Sequence, residues 1–214
     1  MLSRIIFCCV LSIAPLAHAQ SADAPDSDSI KAQEDALFAE AVDAIGARDY
    51  ATGFRIFQHL AKADVADAQY NLAVLYNAGL GRPINYREAA YWASLAQLQG
   101  ITKAQSLAAK TKDNLTEEAQ KHLSNRLQEK LASDIEAGKV QATYQMAQLT
   151  HKMMPEPDME TAYVWYSICN ALAIKPCSAG LKEIGAELEP DQILKAQQRA
   201  NDMFEDSAFA KRME

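Results

Sequence analysis

From Ile30 onward, hydrophobic positions recur at intervals of three and four residues, and no stretch sustains a period of two. That spacing gathers apolar side chains on one face of an α-helix. Phe54, Phe57, Leu60 and Ala61 form one such stripe, Leu72, Leu75 and Tyr76 another, and Ala89, Trp92, Ala93 and Ala96 a third. Start signals agree with this period: Asp49 before a predicted helix at 50–62, Asn85 before 86–99, Thr116 before 117–137 and Asp158 before 159–172. Gly46, Gly79, Gly100 and Gly138 fall where helices should stop. The pattern predicts about ten helices and no sheet.

The stripes also resemble one another. A shift of 35 lays Phe57 on Trp92 and Ala61 on Ala96, and a shift of 36 lays Ala68-Gln69 on Ala104-Gln105. Two periods give a clearer match. Tyr70, Ala73 and Leu75 meet Tyr144, Ala147 and Leu149 at 74, while Ala89, Trp92, Ser94, Leu115 and Arg126 meet Ala162, Trp165, Ser167, Leu188 and Arg199 at 73. The one-residue slip falls in the loop through Met153-Met154-Pro155-Glu156-Pro157. Matched aromatics and alanines with loops absorbing the slip mark a helix-pair repeat.

The stretch Ala68 to Gly81, AQYNLAVLYNAGLG, followed by Asn85, Ala89, Trp92, Ala96 and Gly100, resembles the Sel1-like repeat, a relative of the tetratricopeptide repeat. The best unit is residues 68–103 and a second spans 142–176, where Asp158 and Cys169 stand for Asn85 and Ala96 and the Gly-x-Gly loop is missing. The resemblance implies an all-α, right-handed superhelical solenoid of antiparallel helix pairs over residues 31–212. Ala73 and Ala89 then keep helix crossings close, Tyr76, Trp92 and Trp165 fill wider gaps, and Gly79 and Gly81 permit the reversal between helices. Tyr70, Ala96 and Ala162 complete the set of repeat positions. The family's inner face, lined by first helices, usually holds a peptide or protein. On that face Leu72 and Tyr76 should point to the core, leaving Gln69, Asn71, Val74 and Asn77 more exposed as contact candidates.

The N-terminus changes the picture of where the chain works. Arg4, the 12 mostly apolar residues Ile5 to Leu16 and the small-x-small Ala17-His18-Ala19 read as a signal peptide over residues 1–19. Twelve residues are too few to span a hydrocarbon core of roughly 30 Å. Cys8 and Cys9 lie inside that apolar run, which excludes a lipoprotein reading. Residues 20–30 read as a flexible leader, and the expected destination is the periplasm of a Gram-negative bacterium. The full chain carries 28 acidic and 21 basic residues, a formal charge of −7, with no long Lys/Arg run, which argues against nucleic-acid binding.

Cleavage would leave Cys169 and Cys177, an even count that suits an oxidising compartment. Their spacing of eight spans a predicted helix–loop–helix junction, and the resemblance to secreted, cysteine-rich Sel1-type proteins implies a disulfide. Two free thiols in small-residue core positions are the alternative. Metal binding is disfavoured, since His151 lies 18 residues before Cys169.

Catalytic patterns are missing from the sequence. Gly79-Leu80-Gly81 follows a helix and has Ile84 where a dinucleotide loop needs its third glycine. His59, His122 and His151 begin no His-Glu-x-x-His, no Ser sits in Gly-x-Ser-x-Gly, and none begins Ser-x-x-Lys. Glu117-Glu118 and Glu183/Glu187 read as solvated faces beside Lys121 and Lys182. The expectation is a non-catalytic protein-interaction module without cofactor, metal or membrane span, acting on a protein or peptide partner in the cell envelope. The alternative is a protein that binds or hydrolyses cell-wall material or β-lactams.

Overall fold

The structure is a computed structural model and describes residues 26–207. Ten α-helices follow in order: α1 (Ser27–Gly46), α2 (Tyr50–Lys62), α3 (Ala66–Ala78), α4 (Tyr86–Leu98), α5 (Thr102–Lys112), α6 (Glu117–Glu136), α7 (Gln141–Gln148), α8 (Met159–Ala171), α9 (Lys175–Gly185) and α10 (Pro190–Glu205). A π-helical turn, Leu149–Met153, extends α7. No strand occurs among the described residues. The signal segment 1–19 lies outside them, as does 20–25 of the expected leader. Residues 27–30 of that leader belong to α1: the Asp26 carboxylate accepts a hydrogen bond from the Asp28 amide at 2.8 Å and starts the helix at Ser27.

All four sequence-assigned caps form. Asp49, Asn85, Thr116 and Asp158 accept hydrogen bonds from the amides of Thr52, Glu88, Ala119 and Thr161 at 3.1, 3.1, 3.2 and 2.9 Å. These bonds satisfy amides that the first helical turn leaves without partners. Stops are equally regular. Asp64, Gly100, Gly138 and Ala173 each lie two residues beyond the end of α2, α4, α6 and α8, and each has a left-handed backbone, with φ of 65, 93, 79 and 58°.

Most helices pack on a neighbour in the chain, while α6 also packs back on α4 and α10 on α8, giving an all-α stack of helix pairs. The helices repeat as a block. The helices α4, α5 and α6 begin at 86, 102 and 117 and return as α8, α9 and α10 at 159, 175 and 190, each 73 residues on. Between α3 and α4 the chain turns through Gly79 and Gly81, with φ of 70 and 73°. A Cβ on Gly81 would stand 2.4 Å from the Tyr50 carbonyl oxygen, so this loop is pressed against the start of α2. In the second copy the π turn and the 154–158 loop replace it.

Two hydrophobic clusters fill the stack. The larger runs from α1 to α7 around Phe54, Leu60, Leu72, Leu127 and Leu131; the smaller, from Ala147 onward, gathers Ala162, Val164, Ile168, Ile184 and Ala196. Ala73, Ala89, Ala96 and Ala162 are wholly buried, as close helix crossings require. Trp92 is buried and its indole N–H donates to Glu88 at 3.1 Å. Trp165, expected to be equally buried, is half-exposed and packs against both clusters at once, because it lies at their seam rather than within either. Tyr76 is likewise half-buried, its ring edge-on to Phe54 at 5.0 Å. Cys169 and Cys177 form a disulfide with Cα atoms 5.9 Å apart, joining the end of α8 to the start of α9; the free-thiol alternative falls.

Candidate functional site

The helix α3 carries the contact candidates read from sequence. Gln69 is not one of the exposed positions: it is fully buried. Its amide donates to the Ala61 carbonyl at 3.3 Å and accepts from Gln99 Nε2 at 2.8 Å, so a polar side chain is drawn inward to join α2, α3 and the end of α4. Asn71, Val74 and Asn77 are half-exposed. Asn71 Nδ2 bonds back to the Asp67 carbonyl at 2.9 Å, and Tyr70 is covered by the Lys103 ammonium 4.6 Å from its ring centre. Leu72 is buried as expected.

Charge is concentrated at the joints between helices. Arg126 of α6 pairs with Glu88 of α4 and stacks 3.6 Å from the Tyr91 ring centre. The second copy echoes this: Arg199, its counterpart 73 residues on, reaches Thr161 Oγ1 at 3.4 Å. A second network ties Asp64 to Lys130 (3.0 Å) and Lys139, and Asp134 to both lysines. It borders a cavity of about 310 Å³ among the ends of α2, α4 and α6 and the start of α7. Burial opposes ionisation of Asp64, but the hydrogen bonds from Lys139 and Lys130 outweigh it and hold the pKa below the usual carboxylate value.

Of the histidines, His59 and His122 are exposed, and His151 is buried in the π turn. Its Nδ1 lies 3.4 Å from the Tyr166 hydroxyl. Burial, followed by the charge of Lys152, lowers the His151 pKa; burial also pushes the Tyr166 phenol up to about 12. Glu183, which pairs with Lys152 at 3.2 Å, and Glu187 pull His151 weakly the other way. Among the described residues, no group of three or more His, Cys, Asp or Glu side chains is placed to hold a metal ion. No described helix is long and apolar enough to cross a membrane.

A wide concavity among the described residues was not legible in the sequence. The helices α4 and α6 pack on each other, as do α8 and α10, but no comparable contact joins α6 to α8. A groove of about 1130 Å³ opens there. One wall is the start of α6, with Glu117, Gln120, Lys121, Ser124 and Asn125; the other is the 154–158 loop, Met159, Glu160 and Leu188. It steps into a smaller hollow of about 240 Å³ where the Lys112 ammonium donates to the Met153 carbonyl at 3.1 Å. Burial lowers the Lys112 pKa. The groove depends on two helices being held apart, which no local pattern reports. Its one signal in the sequence is the Met-Met-Pro-Glu-Pro loop standing where the first copy has Gly-Leu-Gly.

Fold and groove together define a class: an all-α stack of tandem helix pairs with a concave surface at the joint between its two copies. No protein-family model matches the chain, and no curated protein does. Among solved structures, the chain is similar to a protective antigen present in uropathogenic Escherichia coli strains that displays an SLR fold, at 19% identity and a TM-score of 0.35. That likeness covers 87% of this chain and 50% of the antigen, so the chain spans about half the length of that protein.

Proposed function

We propose that this chain is an exported, non-catalytic adaptor of the Sel1-like repeat type, which holds a protein or peptide partner in the periplasm. The observation that carries the reading is the block of helix pairs repeated at 73 residues, which builds an extended surface rather than an enclosed pocket. The Cys169–Cys177 bridge supports an oxidising compartment, and the pattern of residues 1–19 supports export. The half-exposed Asn71, Val74 and Asn77 of α3 remain the contact candidates on the first helices; Gln69 leaves the set because it is buried.

The test is in-cell crosslinking of the tagged, exported chain followed by mass spectrometry. The expected result is a stoichiometric envelope protein that is lost with Asn71→Arg or Asn77→Arg. Recovery of the chain alone from intact, correctly exported protein overturns the adaptor reading.

A further inference from the structure

The groove between α6 and α8 has a floor and a rim of different character. Met154, Met159 and Leu188 are half-buried along it, and Pro155 and Pro157 stand exposed beside them. Methionine side chains adapt to apolar groups of varied shape. The rim is acidic: Glu117, Glu156, Asp158 and Glu160 face the groove against Lys121 alone, and the inner hollow adds one acid, Asp113, and one base, Lys112. The helices α6, α8 and α10 all begin here, which would ordinarily favour an anion. Those N-termini are already capped by their own chain, by Thr116, by Asp158 and by the reciprocal Glu189/Gln192 box, and two of the three caps are carboxylates. Electrostatics therefore turn the groove toward cations.

We propose that the groove between α6 and α8 binds an extended, lysine- or arginine-bearing segment of a partner protein, with apolar side chains seated on Met154, Met159 and Leu188 and basic ones against Glu117, Glu156, Asp158 and Glu160. This rests on the adaptor reading and names the chemistry of its partner. The occupant is extended because the groove is open and continuous with the inner hollow, and because the loop that walls it offers two prolines rather than a helix face.

The experiment uses the full chain with its disulfide intact and a fluorescent peptide of repeated Lys-Leu-Pro, read by anisotropy. Saturable binding is expected, about tenfold weaker for the same peptide with Glu in place of Lys, and weaker again as salt shortens the Debye length from ~10 Å to ~3 Å. The double variant Glu117→Lys/Glu156→Lys, at two exposed positions, should weaken binding about tenfold, or ~1.4 kcal/mol. The control Glu40→Lys/Glu205→Lys makes the same charge change on exposed residues away from the groove and should leave affinity within about twofold. Absence of saturable binding, equal binding of both peptides, or equal loss in both double variants overturns the assignment. Failure here is separable from failure of the adaptor reading. A crosslinked envelope partner that survives Glu117→Lys/Glu156→Lys sinks the groove and leaves the adaptor. Peptide binding with no partner recovered in cells keeps the groove's preference for basic, apolar segments and removes the adaptor role.

Discussion

Ala173 holds φ at 58°, a left-handed conformation in which its Cβ crowds the backbone, where the first copy has Gly100. Ala173→Gly should raise stability by about 1 kcal/mol, seen as a higher urea midpoint. The equivalent change at Asp64 should not help, because it removes the carboxylate that Lys130 and Lys139 hold. His151 gives a pH signature of known sign. Its folded pKa lies below the ordinary 6.5, so between the two values the unfolded chain binds a proton that the folded chain refuses. This contribution to stability is complete above 6.5 and fades as pH falls through 6.5 toward the folded value. The urea midpoint of His151→Gln should therefore change less between about pH 7.5 and about pH 5.5 than that of the wild type.

At the scale of elements, the disulfide clips α8 to α9 at positions where the first copy has the wholly buried Ala96 and Ala104. Alanine fits that packing, so Cys169→Ala/Cys177→Ala should fold, yet lose about 2–3 kcal/mol of stability because an eight-residue loop is no longer closed in the unfolded chain. Reductant should lower the wild type toward the double variant and leave the variant unmoved. The bounds of α2, α4, α6 and α8 were legible for a physical reason: Asp49, Asn85, Thr116 and Asp158 write their starts in local chemistry, and each bond formed where the sequence placed it. The inward Gln69 was not legible. Its helix position faces the end of α4, and the Ala61 carbonyl together with the approach of Gln99, thirty residues on, makes burial of an amide tolerable. Trp165 was misjudged in the same way, since period gives a residue's face but not whether a neighbouring element covers it.

For the molecule as a whole, the two hydrophobic clusters meet at Trp165 and α7. Trp92→Ala, inside one cluster, should cost about 3–5 kcal/mol and keep a single transition. Trp165→Ala should cost less, because part of its ring is already in water, but should uncouple the halves. The check is whether urea unfolding followed by far-ultraviolet circular dichroism and by Trp92 fluorescence ceases to coincide. Coincident curves would show that α7 alone transmits cooperativity. The constant displacement from α4–α6 to α8–α10 also bears on how such a chain changes over generations. An unequal crossover in step with those 73 residues would insert or delete a cassette without turning any helix face away from the core. Because the groove lies where one cassette meets the next, lengthening the gene this way would multiply docking positions while each keeps its own loop free to diverge.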